Sequence, residues 1–146
     1  MIAVDSNLLV YAHRWEATED YEAFALIQSL VDGDDAWAIP WPCIYEFFGV
    51  VTNRRIWRDS ATTPEQAWLQ ISAWAASPSL RLLGETDGFL EILGRFAQRP
   101  RVRGGVIHDA RIAAICVAHG VNTLLTRDRD FALFPELPTR DPFSAR

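Results

Sequence analysis

The sequence predicts an α/β protein with three layers, in which helices cover both faces of a central parallel sheet of four to five strands. Short apolar runs alternate along the chain with longer segments whose apolar residues recur at helical spacing. This alternation is typical of right-handed β–α–β units, which build parallel sheets. The chain has 146 residues, of which 49% are hydrophobic, so one domain over residues 1–146 can bury a sizeable core.

The first part of the chain alternates strands with helices. The predicted elements are a strand at 2–4, a helical turn at 8–13, a helix at 21–31, a strand at 37–39 and a helix at 42–51. Gly33 is a stop signal for the helix at 21–31. Pro40 closes the second strand, and Pro42 suits the first turn of the next helix because no N–H is needed there.

The rest of the chain continues the same pattern. The predicted elements are a helix opening at 63–65, a strand at 80–83, a helix at 86–97, a loop at 99–105, a helix at 109–119, a strand at 123–126 and a helical turn at 130–133. Thr63 suits a helix cap, and Gly120 suits a helix end. The tail from Pro135 leaves room for one edge strand. Trp68, Ile71 and Trp74 form a helical stripe that favours core packing over a dimer or partner surface.

The charge pattern excludes several classes of function. The formal net charge is -5 and all 14 basic residues are arginines. The absence of lysine argues against a phosphoacceptor receiver and against a haloacid-dehalogenase-like phosphatase, since both classes need a lysine near the phosphoryl group. The acidic balance argues against broad, non-specific nucleic-acid binding. It leaves open a local basic rim, for which the candidates are Arg99, Arg101, Arg103 and Arg127.

The cysteines, the length of the apolar runs and the start of the chain give further expectations. Cys43 and Cys116 lie in apolar helical contexts typical of buried free thiols, and no Cys/His cluster has zinc spacing. No apolar run reaches the length of a membrane span. The chain opens directly on a strand without a basic leader, so we expect a cytoplasmic protein.

Four carboxylates are the best candidates for a functional site. Asp5 ends an apolar run, Asp109 opens an alanine-rich helix and Asp128 follows another apolar run. Each of these three also suits a helix cap or first turn, where acids are stabilised by free N–H groups. Glu46 interrupts an apolar helix, and burying a carboxylate there without a partner is costly.

These carboxylates are expected to converge if the sheet is parallel. Ligands of such sheets bind beyond the carboxyl ends of the strands, where Asp5 and Asp128 fall. A cluster of carboxylates cannot stay ionised in a dry site unless a cation neutralises it. The pattern therefore indicates a hard divalent metal and, with it, phosphate chemistry.

Four motifs in order resemble those of one known family over essentially the whole chain. They are Val4-Asp5-Ser6-Asn7-Leu8-Leu9-Val10-Tyr11-Ala12, Glu46 in the helix after the second strand, His108-Asp109-Ala110 opening an alanine-rich helix, and Leu125-Thr126-Arg127-Asp128-Arg129-Asp130-Phe131. In these motifs the chain is similar to PIN-domain ribonucleases of the VapC type, the toxins of type II toxin–antitoxin systems. The resemblance implies the PIN-like version of the three-layer fold.

The resemblance also implies an activity and a site. It implies an endoribonuclease dependent on Mg²⁺ or Mn²⁺, a homodimer and a small VapB-like antitoxin. The family's first three acids carry onto Asp5, Glu46 and Asp109, and the fourth onto Asp128, with Asp130 as the alternative. The open alternatives in function are a PIN nuclease of RNA processing and a non-catalytic PIN module that binds RNA or protein.

Residues beside the acids have two interpretations each. Ser6, Asn7 and Thr126 suit the orientation of metal ligands or water, and equally suit capping and turns. His108 adjoins Asp109, but exposure at the start of a helix explains it better than catalysis. Exposed aromatic residues, with Trp15, Trp57 and Trp68 as candidates, suit the docking of an apolar partner segment.

Overall fold

A parallel sheet of five strands forms the centre of the molecule. The computed structural model describes residues 1–18 and 20–143. The strands are β1 (Ile2–Val4), β2 (Trp37–Pro40), β3 (Leu80–Leu83), β4 (Thr123–Leu125) and β5 (Thr139–Arg140). They lie in the order β3-β2-β1-β4-β5, and every neighbouring pair is parallel. The predicted fold class, a parallel sheet flanked by helices, is confirmed.

Helices connect the strands and flank the sheet. They are α1 (Ser6–His13), α2 (Trp15–Thr18), α3 (Tyr21–Asp32), α4 (Trp41–Val51), α5 (Arg54–Trp57), α6 (Pro64–Ala75), α7 (Phe89–Ala97) and α8 (Val106–Ala118), with 3₁₀ turns at Arg58–Ser60 and Arg129–Leu133. Helix α1 packs against α3 and α4, whereas α7 packs against α8. No helix in the described part of the chain is long and apolar enough to cross a bilayer.

Several boundaries differ from the sequence prediction. Helix α7 begins at Phe89 rather than at residue 86, because Gly88 precedes it in a left-handed conformation with φ of 86°. Helix α8 begins at Val106, so Asp109 lies in its first turn instead of opening it. Helices α2 and α5 were not predicted, since four residues are too short to show a periodic pattern.

The core lies between the sheet and its helices. Strands β1 and β2 contribute fully buried residues such as Ala3, Val4 and Trp37. On α6, Ile71 and Trp74 are buried whereas Trp68 is 59% exposed, so the predicted stripe is core at two of its three positions. Both cysteines are buried free thiols, as predicted. The strands that end at the candidate site are thus anchored in this buried core.

Candidate functional site

The candidate site lies at the carboxyl edge of the sheet, where the strand order changes direction. From β1 the chain proceeds to β2 and β3 on one side, whereas β4 and β5 lie on the other side. Such a switch point is where open parallel sheets bind ligands. Asp5 follows β1, residues 126–128 follow the neighbouring β4, and Glu46 lies on α4, which follows β2.

Asp5 is a buried carboxylate held by three donors. Its side chain is 4% exposed. The backbone N–H of Ser6 donates to Oδ1 at 2.7 Å, and the Thr126 hydroxyl donates to Oδ2 at 2.7 Å. The Cys43 thiol donates to Oδ1 at 3.5 Å. Asp5 also caps α1, so its capping role and its place in the acid cluster coexist.

Ser6 connects Asp5 to Glu46. Its hydroxyl donates to Oε2 of Glu46 at 2.7 Å and lies 3.4 Å from Oδ1 of Asp5. Because the hydroxyl has one proton, the shorter contact with Glu46 identifies the acceptor. Ser6 therefore fixes the Glu46 carboxylate beside Asp5.

Thr126 joins the loop after β4 to the start of α1. Its hydroxyl oxygen accepts from Nδ2 of Asn7 at 3.3 Å and from the backbone N–H of Asp128 at 3.0 Å. The N–H of Arg127 donates to Oδ1 of Asn7 at 3.4 Å. Together with the bond to Asp5, this network positions the loop that carries the next two acids.

Asp109, Asp128 and Asp130 form a second part of the cluster. Each offers a carboxylate oxygen within 4.8 Å of those of the other two. Asp128 caps the 3₁₀ turn at Arg129–Leu133 by accepting from the N–H of Asp130 at 2.8 Å. The sequence left the fourth acid open between Asp128 and Asp130, and both lie next to Asp109.

The pKa of Asp109 is strongly shifted. Burial, followed by repulsion from the Asp128, Asp5, Asp130 and Glu46 charges, raises its pKa from the ordinary 3.8 to about 7. Burial is the largest cause of this shift, and the four neighbouring acids add to it.

The pKa values of Asp5 and Glu46 are raised as well. Burial raises the pKa of Asp5, although its bonds from Thr126 and Ser6 oppose the change. Burial also raises the pKa of Glu46, with a smaller contribution from the Asp5 charge. His108 is exposed, and its positive form favours the charged form of Glu46.

The donor set fits a hard divalent cation. All five acids offer oxygen, the ligand atom preferred by Mg²⁺ and Mn²⁺. Within residues 1–18 and 20–143, no arginine forms an ion pair with any of these five acids. A cation would relieve the repulsion that raises the pKa of Asp109.

The predicted basic loop lies before α8. Arg99 pairs with Glu136, whereas Arg101 and Arg103 are exposed. Nε of Arg103 donates to the carbonyl of Pro100 at 2.9 Å. Arg101 and Arg103 therefore stay candidates for RNA contacts, while Arg99 is engaged by a neighbouring acid.

Arg127 is held by intramolecular contacts. It pairs with Asp20 at 3.6 Å and with Asp141 at 3.9 Å. Its guanidinium also lies 5.4 Å from the ring centre of Tyr11 and 5.7 Å from that of Phe143. These contacts hold the loop between Thr126 and Asp128 in place. They also engage the Arg127 charge, which makes Arg127 a weaker candidate for binding a ligand.

Some residues of the site had no recognised signal in the sequence. Cys43 lies one helical turn before Glu46, but nothing in the sequence shows its contact with Asp5. The site residues predicted from the sequence did not include Arg129 or Arg140, which both line a cavity beside Asp128. Arg129 stood inside a recognised motif, whereas Arg140 comes to the site only through the pairing of β5 with β4.

Comparisons with known proteins identify the family and the fold. Residues 2–137 match the PIN domain. Ribonuclease VapC43 of Mycobacterium tuberculosis is 32% identical over 146 residues, covering 100% of this chain and 98% of the relative. Ribonuclease VapC48 of the same organism is 32% identical over 141 residues, covering 96% of each. The crystal structure of VapBC2 from Rickettsia felis, bound to a promoter DNA fragment, has the same fold, with a TM-score of 0.68, 19% identity, and coverage of 96% of this chain and 98% of that one.

Proposed function

The chain belongs to the PIN-domain family and resembles its VapC ribonucleases, and from that premise we propose that it is a metal-dependent endoribonuclease. The proposed ion is Mg²⁺ or Mn²⁺, with Asp5, Glu46, Asp109 and Asp128 as ligands and Asp130 in support. The observation that supports the proposal is the group of Asp109, Asp128 and Asp130, whose carboxylate oxygens lie within 4.8 Å of one another, with a pKa of about 7 at Asp109 that burial and the charges of Asp128, Asp5, Asp130 and Glu46 raise.

The protein's own residues supply orientation and charge. Three donors fix the direction of the Asp5 carboxylate, and Ser6 fixes that of Glu46. When bound, the divalent ion supplies the Lewis-acid activation of water for attack on phosphorus. The proposed reaction breaks the phosphodiester bond to leave a 5′-phosphate and a 3′-hydroxyl. Preorganised carboxylates reduce the reorganisation needed during the reaction.

An RNase assay with purified protein tests the activity and its metal dependence. We expect cleavage of RNA in Mg²⁺ or Mn²⁺, loss of cleavage in excess EDTA, and recovery when metal is restored. Asp109→Asn should abolish cleavage, because it removes a ligand charge and keeps the shape of the side chain. Asp34→Asn is the matched control, since Asp34 is exposed and precedes β2 at the opposite edge of the sheet. Cleavage that persists in EDTA or in Asp109→Asn would contradict the proposal.

We further propose that the protein is a toxin that acts as a homodimer in the cytoplasm and is blocked by a small VapB-like antitoxin. An acidic site attracts a basic side chain of a partner by the same field that attracts a metal. Exposed apolar residues, of which Trp68 and Leu69 on α6 are examples, suit an apolar partner segment.

Growth of a bacterial host tests the toxin proposal. We expect expression of the protein alone to arrest growth, and co-expression of the neighbouring small open reading frame to restore it. Asp109→Asn should be harmless at the same expression level. A wild-type protein that is harmless and copurifies with no small protein from its native source would favour a PIN nuclease of RNA processing.

A further inference from the structure

A cavity beside the acid cluster is lined by three arginines. It has a volume of about 400 Å³ and lies between the loop after β4 and strand β5. Thr126 and Asp128 form the wall that it shares with the candidate metal site, and Arg127, Arg129 and Arg140 line it as well. A molecule bound at the acids can therefore extend directly into this cavity.

Two of these arginines have no ion-pair partner among residues 1–18 and 20–143. Arg127 is paired with Asp20 and Asp141, the latter of which also lines the cavity. Arg129 and Arg140 are exposed, and neither forms an ion pair within the described residues. The lining therefore holds three arginines against two acids, Asp128 and Asp141, so its formal charge is positive although the whole chain is acidic.

The backbone places Arg129 and Arg140 next to the acids. Arg140 pairs with Leu125 in the β4–β5 register, and its carbonyl accepts from the N–H of Thr126 at 3.0 Å. Arg129 is the first residue of the 3₁₀ turn that Asp128 caps. The backbone of Arg129 thus adjoins Asp128 in sequence, and the backbone of Arg140 is hydrogen-bonded to that of Thr126.

We propose that this cavity is a subsite for an RNA phosphate next to the one that is cleaved, bound by Arg129 and Arg140. The proposal rests on the proposed ribonuclease function and names how its substrate is held. Guanidinium groups bind phosphate through paired N–H donors. A chain with a formal net charge of -5 repels a polyanion, so local cations are needed beside the acids.

Binding and cleavage by arginine variants test the subsite. The probe is a short fluorescein-labelled single-stranded RNA that the wild-type protein cuts at one position. Arg129→Ala and Arg140→Ala should each raise its KM about tenfold and change kcat little, as expected for loss of a charged hydrogen bond. Each should also lower the slope of log Kd against log salt by about 1. Arg140→Lys keeps the charge and should recover part of the affinity.

Arg55→Ala is the matched control. Arg55 is an exposed arginine on α5 and is not part of the cavity lining or of the segments that carry the acids. Helix α4 leads to it from the carboxyl edge over 11 residues, which corresponds to about 16 Å. This variant should keep the KM and the salt slope of the wild-type protein.

An uncharged linkage in the RNA distinguishes binding of one phosphate at the subsite from general electrostatic attraction. One methylphosphonate, placed in turn on each side of the cleaved linkage, should weaken binding to the wild-type protein on one side. The same methylphosphonate should have no effect on binding to the Arg129→Ala/Arg140→Ala double variant, because the change in the RNA and the change in the protein remove the same interaction. Binding is measured in the Asp109→Asn background, so that it does not depend on cleavage.

The outcomes distinguish the subsite from the proposed function. If the wild-type protein cuts RNA and the double variant has the KM of Arg55→Ala, the subsite is wrong and the nuclease proposal stands. If the wild-type protein cuts no RNA, the nuclease proposal fails. If the double variant loses affinity for a partner protein but not for RNA, the cavity binds protein and the RNA subsite is wrong.

Discussion

Asp5 shows how one side chain satisfies structural and chemical requirements together. As a cap it accepts from the N–H of Ser6, and as a buried acid it accepts from Thr126 and Cys43. Burial raises its pKa while these donors oppose the change. The donors therefore hold the carboxylate in place but do not fully offset the cost of burying its charge. In the proposed ligand role, this carboxylate would already be ordered before a cation binds.

The Thr126 hydroxyl is expected to be essential for the Asp5 position. Thr126→Val keeps the shape but leaves a buried carboxylate oxygen without its donor, so we expect a loss of about 1–3 kcal/mol in the free energy of unfolding. RNA cleavage should fall as well, because the hydrogen bond that orients the Asp5 carboxylate from the loop after β4 is lost. Thr126→Ser restores the hydroxyl and should recover most of both. Urea unfolding and the RNase assay measure these effects, and equal stability of the Val and Ser variants would contradict the assigned role.

At the scale of the elements, helix ends position the acids. Helix α8 carries Asp109 in its first turn and ends in a Schellman motif. The N–H of Gly120 donates to the carbonyl of Val117 at 3.1 Å, and the N–H of Val121 donates to that of Cys116 at 3.0 Å. Gly120 has a φ of 70°, a conformation that glycine adopts without strain.

Two glycine substitutions are expected to have opposite effects on stability. Gly120→Ala should lower the free energy of unfolding by about 1 kcal/mol, because alanine is strained at positive φ. Gly49→Ala should raise it by about 0.5–1 kcal/mol, because Gly49 lies inside α4 and alanine favours the helix. Neither new Cβ meets an atom within 4 Å, so packing does not obscure the comparison. Thermal melts of the two variants test the difference, and a shift in the same direction for both would count against it.

For the molecule as a whole, the acid cluster makes stability depend on pH in an unusual direction. The native pKa of Asp109 is about 7, above its ordinary 3.8, so between these values the native state binds more protons than the unfolded state. Without metal, the contribution of this group is therefore fully present below pH 4 and is lost as pH rises to about 7.

We expect the metal-free protein to lose about 1–2 kcal/mol of stability relative to Asp109→Asn between pH 5 and pH 8, a value reduced for solvent screening at a half-buried group. Asp109→Asn removes the titrating group and provides the reference. Urea unfolding in EDTA across this range measures the difference. A difference that is constant with pH, or that grows in the other direction, would show that the pKa of Asp109 is not raised.

Divalent metal is expected to stabilise the native state. A cation that binds only the folded protein at 100 times its Kd adds about 2.7 kcal/mol to the free energy of unfolding. The gain should be larger at pH 8 than at pH 5.5, because binding must displace the proton of Asp109. Thermal melts with and without Mn²⁺ measure it. Equal melting temperatures, together with no heat of binding in calorimetry, would contradict a metal site.

Much of the architecture was predictable because it rests on local patterns. The strands at 2–4, 37–39, 80–83 and 123–126 were found within one residue of their observed ends, since short apolar runs between stop signals identify buried strands. The family resemblance is confirmed by the match over residues 2–137. The ligand roles of Asp5, Glu46, Asp109 and Asp128 stay predictions, and so does RNA binding by Arg99, Arg101, Arg103 and Arg127.

The sequence by itself determined the periodicity, the order of elements and the acids that carry the motifs, because each depends on residues close together in the chain. Only the tertiary structure decided that Asp130 joins Asp128 beside Asp109, that Thr126 and Cys43 hold Asp5, and that β5 brings Arg140 to the site. These contacts join residues that are distant in sequence and lie in different elements. Their geometry follows from the pairing and twist of the strands, which no local pattern specifies.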